Sequence, residues 1–297
     1  METPAIALDG LTKWYGRHRG ILEVDLNVQK GEVFGFIGPN GAGKSTTIRL
    51  LLGFLRPTSG TARINGQRVT LFDKSVKADV GYLPSEVRLY GDMTVRDLLR
   101  YSAGFYPGRP LADVSDLAER LEMDLSARID RLSLGNRKKV GIMQAFLHRP
   151  RLLILDEPTS GLDPLMQNRF FDLLEEWNAG GTTVFFSSHV LSEVQRLCHR
   201  VAILKEGRVV ALEEVEALRS RSIKRVSVEW RNPGSVWVPE GAKDLVQNGA
   251  RVSYLYQGKM PDLLAELGQR SQEASDVAIE QPSLEDVFMH YYSEEAH

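Results

Sequence analysis

The chain has 297 residues, 42 % of them hydrophobic and 26 % charged, and a formal net charge of −2. This is the composition of a globular protein of one large domain or two, and it excludes a global basic field that would recruit nucleic acid. Cys198 is the only cysteine, which excludes a disulfide framework and a Cys-rich zinc site and is compatible with a reducing, cytosolic compartment. No apolar run approaches the roughly 18 residues of a membrane span. Met1-Glu2-Thr3-Pro4 lacks the charged and apolar regions of a signal peptide, so neither leader nor span is expected and any membrane role needs another chain.

In chain order, residues 5–37 read as strands, with alternation from Ile21 to Val28 and a turn at Lys30–Gly31. The apolar run Val33–Ile37 reads as a buried strand, and Thr47–Leu52 as a helix. Between them Gly38-Pro39-Asn40-Gly41-Ala42-Gly43-Lys44-Ser45-Thr46 fits G-x-x-x-x-G-K-[ST]. Strand, glycine loop and helix are the context in which this pattern binds phosphate. Gly41 and Gly43 let successive backbone N–H groups turn toward one anion. The helix N-terminus adds partial positive charge. Lys44 has the reach for the β- and γ-phosphates, and the Ser45 hydroxyl suits Mg²⁺.

Pro57 is expected to close the helical region, with short strands around a hairpin turn at Asn65–Gly66 and another strand over Val80–Leu83. Residues 94–149 change character. Thr94 can cap a helix from Val95, and further helical segments lie around Val114–Leu121 and Leu134–Leu147. Leu152–Leu155 and Thr182–Phe186 are continuous apolar runs, as in strands buried on both faces. Helices are expected over Pro164–Trp177 and Leu191–Leu197, then a hairpin turning at Glu206–Gly207. Such alternation implies a largely parallel sheet covered on both sides. Near Arg219–Ser222 the pattern restarts as a small β-β-β-α-β-α unit, with strands through Val226–Trp230, Val252–Tyr256 and Val277–Ile279. Its helices fall at Pro261–Leu267 and Ser283–Tyr292.

Further residues carry candidate chemistry. Asp156 and Glu157 end a buried strand, about 110 residues after the glycine loop, and ligands in α/β sheets bind beyond such strand ends. Asp156 suits Mg²⁺, and Glu157 suits the polarisation of an attacking water. Ser133 and Gly135 open a helix, which makes either an anion seat or a plain cap. Ser160–Pro164 is a turn into a helix, and His189 ends a strand where a γ-phosphate would lie. Taken by themselves, Trp14 and Tyr15 read as core aromatics rather than a base-stacking platform.

In this order the motifs closely resemble the nucleotide-binding subunits of ABC transporters, over residues 5 to about 220. The resemblance implies an α/β P-loop NTPase of ABC type with an antiparallel β subdomain and a helical subdomain at about 90–149. A small α+β C-terminal domain over 223–297 is added to it. It implies that Tyr15 stacks on adenine, that Gly38 to Thr46 (Asn40 included) hold phosphates, that Asp156 supports Mg²⁺ and that Glu157 activates water. It further implies that His189 contacts the γ-phosphate, that Ser133 and Gly135 bind the ATP held by a second copy, and that Asp163 links the two sites. Such subunits close head to tail around two ATP molecules at the cytoplasmic face of the cell membrane, beneath a separate transmembrane permease; no nucleic acid is expected. Two departures stand out. The signature reads Leu132-Ser133-Leu134-Gly135-Asn136, where the commonest form has Gly and Gln at the positions of Leu134 and Asn136. Ser85 stands where family members usually carry a glutamine that ligates Mg²⁺, and its reach is much shorter. Pro282–Phe288 resembles the tail of the drug-exporter and ABC-2-type branch, which favours export. The competing readings are a nucleic-acid-associated ATPase of the same type, which typically carries long heptad insertions or two ATPase halves, and a permease-free cytosolic regulator.

Overall fold

Apolar alternation and turn chemistry partition the chain into three sheets. The computed structural model describes residues 3–71, 76–220, 223–232 and 236–280. β1 (Ile6–Tyr15) and β2 (His18–Val28) form an antiparallel hairpin that buries Val24, Leu26 and Val28 on one face. β3 (Val33–Ile37) is buried at every residue and leads through the glycine loop into α1 (Lys44–Leu51). β4 (Ser59–Ile64) pairs antiparallel with β1, and β5 (Gln67–Arg68) follows it. The turn between them sets Asn65 at φ 50° and Gly66 at φ 79°, a primed turn that matches the twist of the strands. The first sheet therefore runs β2-β1-β4-β5.

Gly53, rather than Pro57, stops α1. It lies at φ 62°, with Gly53 N–H donating to Leu50 O and Phe54 N–H to Arg49 O. This is a glycine C-terminal cap, four residues ahead of the proline. A Cβ at Gly53 would also meet Thr70 O at 2.6 Å.

β6 (Val80–Leu83) precedes a helical stretch of α2 (Val95–Ala103), α3 (Val114–Arg120) and α4 (Leu134–Phe146). Thr94 caps α2 through the Asp97 N–H, as its sequence position predicts, a bond that stabilises by about 1 kcal/mol. Then come β7 (Leu152–Asp156), α5 (Pro164–Ala179), β8 (Thr183–Ser188), α6 (Leu191–Leu197), β9 (Arg200–Lys205) and β10 (Arg208–Glu214). The central sheet is ordered β10-β9-β3-β8-β7-β6, and β9, β3, β8, β7 and β6 are parallel. Phe34, Phe36 and Phe185 stack in its core at centroid spacings of 5.9 and 5.2 Å. Each such buried ring contributes roughly 1.5–3 kcal/mol. The parallel direction puts the exits of β3, β6, β7 and β8 at one edge, so the glycine loop, Ser85, Glu157 and His189 all follow strand ends on the same side.

The chain divides after Glu213 into a second unit. It contains α7 (Val215–Ser220), which the sequence pattern did not suggest, followed by β11 (Ile223–Trp230), β12 (Ala242–Asn248), β13 (Arg251–Gln257), α8 (Met260–Gln269) and β14 (Ala274–Glu280). These strands form an antiparallel sheet, β12-β13-β11-β14. Val226, Val228, Trp230, Val252 and Tyr254 pack there with Leu263 and Leu267 of α8. The helix expected over Ser283–Tyr292 and the Pro282–Phe288 motif lie outside the described residues.

Candidate active site

The glycine loop is built by backbone that a side chain would obstruct. Gly43 sits at φ 112°, and a Cβ there would lie 2.6 Å from Ile21 Cγ2 and 3.0 Å from Gly20 O. Gly41 also has positive φ, at 80°, whereas Gly38 is needed for space, since its Cβ would fall 2.3 Å from Leu204 O. The Gly207 N–H donates to Ala42 O at 2.9 Å and ties the loop to the β9–β10 turn. α1 then starts without a side-chain cap and without an acidic residue in its first turn. By contrast, α2, α3, α4 and α5 are capped by Thr94, Asp113, Ser133 and Asp163. α6 and α8 also lack a side-chain cap, but the leading N–H groups of α1 follow the glycine loop, the geometry that can seat an anion.

Lys44 is buried and folds back over the loop. Its Nζ donates to Gly38 O at 2.7 Å and to Pro39 O at 3.3 Å, and lies 3.5 Å from Glu157 Oε1. The same carboxylate oxygen is 3.3 Å from His189 Nδ1. Glu157 is aimed there by a left-handed backbone, φ 48°, a conformation costing roughly 1–3 kcal/mol for a residue with a side chain. Its N–H is held by Ser187 O at 3.1 Å and Ser187 Oγ at 3.2 Å. Ser187 Oγ donates in turn to Asp156 Oδ1 at 2.7 Å, so the buried Asp156 carboxylate has its direction set by the neighbouring strand.

A cleft of about 200 Å³ over the loop is lined by Tyr15, Arg19, Gly20, Pro39, Asn40, Gly41, Gly43, Lys44, Ser45, Thr46 and Glu157. Tyr15 is 40 % exposed, so it is an edge aromatic and not a core one, and its hydroxyl lies 3.4 Å from Thr46 Oγ1. Arg19 is a cleft residue that motif reading missed; its ion pair with Glu206 at 3.1 Å joins residues 187 apart in sequence. Larger hollows of about 690 and 630 Å³ lie elsewhere, lined in part by Leu50–Leu71 and by Ser115–Ser126, and hold none of the candidate groups.

Ser133, Gly135 and Asp163 do not line this cleft. Ser133 Oγ accepts from the Asn136 N–H at 3.2 Å and Asp163 Oδ1 from the Met166 N–H at 3.0 Å. A Cβ on Gly135 would lie 2.7 Å from Gly161 O, so the two turns touch. They present Leu134, 76 % exposed, and Leu165, 61 % exposed. Ser85 also lies outside the cleft lining. Its carbonyl, with that of Pro84, accepts from Lys138 Nζ at 3.0 and 3.2 Å. Burial pushes the Lys138 ammonium down to about 8, against the opposing pull of Asp156 and Glu157. Tyr82 is pushed up to about 12, first by burial and then by Asp156.

The sequence profile described as ABC transporter matches residues 21–160. The chain is 33 % identical over 295 residues to the bacitracin transport ATP-binding protein BcrA of Bacillus licheniformis, covering 94 % of each chain. It is 36 % identical over 253 residues to the Nod factor export ATP-binding protein I of Paraburkholderia xenovorans, covering 83 % of each. Among solved structures, a dimeric bacterial ABC transporter cassette is similar with a TM-score of 0.63 and 25 % identity, over 71 % of this chain and 98 % of that one.

Proposed function

This chain belongs to the ABC transporter family of ATP-binding proteins, and from that premise we propose that it is the ATP-hydrolysing subunit of an exporter whose membrane permease is a separate chain. One observation carries the reading: a single Glu157 oxygen faces both Lys44 and His189 beside a phosphate loop whose helix has no cap of its own. Lys44 and the loop N–H groups bind the phosphates, Glu157 takes a proton from the attacking water, and His189 meets the γ-phosphate side. Tyr15 offers its exposed ring to adenine. The chemistry is positioning and electrostatic stabilisation of phosphoryl transfer.

Ser45 and Asp156 are the residues that would hold Mg²⁺, whose role is to neutralise phosphate charge. A hydroxyl and one oriented carboxylate fit a hard cation that keeps several waters. Among the described residues no group of three or more His, Cys, Asp or Glu gathers into a denser metal cage. Ser85 adds little to such a shell, because its carbonyl is taken by Lys138 Nζ at 3.0 Å and its hydroxyl has a much shorter reach than a glutamine side chain. Ser85→Ala is therefore expected to change basal hydrolysis by only about two- to fivefold, since Mg²⁺ tolerates a water in place of a weak ligand. A drop of roughly a hundredfold in a phosphate-release assay would make Ser85 a ligand after all.

The turns that carry Ser133, Gly135 and Asp163 touch and present the exposed Leu134 and Leu165; two large apolar groups on adjoining turns support closure of this face on a second copy around ATP, since exposed apolar groups that cluster mark interaction surfaces. Tyr90, Tyr101 and Phe105 form an exposed edge-to-face ladder with centroid spacings of 5.9 and 5.1 Å, which suits the permease. No helix among the described residues is long and apolar enough to cross a membrane; the proposed place is the cytoplasmic face, reached through that partner. The unit after Glu213 is assigned an accessory role.

The purified full chain is expected to release phosphate from ATP only when Mg²⁺ is supplied, and to bring down a polytopic membrane protein from detergent extract of its own cells. Enrichment of nucleic acid in place of a membrane protein would overturn the transport reading.

A further inference from the structure

Lys138 is 3 % exposed and makes no ion pair among the described residues. Two of its three donors go to the carbonyls of Pro84 and Ser85, the residues that follow β6. β6 runs parallel to β7, with Leu83 level with Leu155, so the chain leaves β6 beside the point where Asp156 and Glu157 leave β7. Both carboxylates act on the lysine's charge. Lys138 also stands on α4, five residues after the Ser133 cap, a rise of about 7.5 Å along the helix. One side chain thus joins the Ser133 helix, the exit of β6 and the field of the catalytic carboxylates. A buried ammonium is an expensive way to join two backbone segments that an apolar side chain would pack, so the geometry calls for a use of its charge and donors.

We propose that Lys138 is a positioning residue for hydrolysis, clamping the Pro84–Ser85 backbone to α4 and so holding the exit of β6 in register with Asp156 and Glu157. The clamp fixes where a water and the γ-phosphate sit relative to Glu157, while nucleotide affinity stays with the glycine loop. This rests on the hydrolysis reading above.

The test uses the full chain with Lys138→Met, which keeps the apolar stem, and Lys138→Arg, which keeps charge and donors. Steady-state phosphate release from ATP with Mg²⁺ gives kcat and KM, and hydrogen–deuterium exchange reads the backbone over residues 84–88. Lys138→Met is expected to lower kcat by roughly ten- to a hundredfold, the loss that a small misplacement produces. KM should stay within about threefold, exchange over 84–88 should quicken, and Lys138→Arg should keep kcat within about threefold of wild type. If Lys138→Met fails to fold by circular dichroism, Lys138→Gln takes its place with the same criteria. Unchanged exchange overturns the clamp, and quicker exchange with unchanged kcat overturns its role in hydrolysis. A wild-type chain that releases no phosphate, with exchange quickened in the variant, overturns the hydrolysis reading and retains the clamp.

Discussion

Glu157→Gln is expected to lower ATP turnover by roughly 10²-fold or more, the size of a lost general base, while tightening ATP binding a few-fold. The first effect follows from position. The Glu157 carboxylate stands past the end of β7, aimed by positive φ and by two bonds from its N–H to Ser187, and glutamine keeps that shape but cannot accept a proton. The second effect comes from the ion pair with Lys44 at 3.5 Å. In the ligand-free protein this pair competes with phosphate for the ammonium. Removing its charge lowers that competition by an amount on the scale of a partly exposed pair, about 0.2–1 kcal/mol, hence a few-fold in affinity. Equilibrium binding of a fluorescent ATP analogue and single-turnover phosphate release separate the two effects. Unimpaired turnover would remove Glu157 from its role, and weaker binding would mean that the Lys44 contact helps to shape the empty loop for nucleotide.

Much of the candidate site was legible because the residues that build it are local in sequence. Val33–Ile37, the glycine loop and α1 are contiguous, Asp156 and Glu157 sit at the end of their own apolar run, and Thr94 caps α2 from the adjacent position. The turns at Asn65–Gly66 and Glu206–Gly207 announced hairpins through their residue types. What could not be read is long-range or unpatterned. Lys138 lies in the basic run Arg137-Lys138-Lys139, which suggests a solvated face, and only packing against the end of β6 shows it buried. The bond from Ser187 to Asp156 depends on the register of β7 with β8. β12 carries Ala-Lys-Asp-Leu-Val-Gln-Asn with almost every residue exposed, so no alternation marks it, and α7 is too short for a periodic signal. The helix stop expected at Pro57 falls instead at Gly53, because a glycine able to take positive φ is the commoner device.

Lys44→Ala is expected to weaken ATP binding by roughly ten- to a hundredfold and to abolish measurable turnover at sub-saturating ATP. A hydrogen bond from a charged donor is worth about 1.5–3 kcal/mol, which is about that range in affinity. Lys44 is 5 % exposed, so water screens its contacts little. The variant should still fold. Gly38 O and Pro39 O lose one donor each, but the loop keeps its bond from the Gly207 N–H to Ala42 O, and α1 keeps the bond from the Thr47 N–H to Gly43 O. The carboxylate of Glu157 keeps His189 at 3.3 Å and stays partly exposed to water. Coupling between the two sites gives the sharper check. If the lysine is released from Glu157 when phosphate binds, the affinity gain from Glu157→Gln must vanish in the Lys44→Ala background, because there is no longer an ammonium to compete for. Titrating ATP into the two single variants and the double variant measures this directly. A gain from Glu157→Gln that persists without Lys44 would show that the carboxylate repels the nucleotide itself, and the exchange of partners drawn here for Lys44 would be wrong.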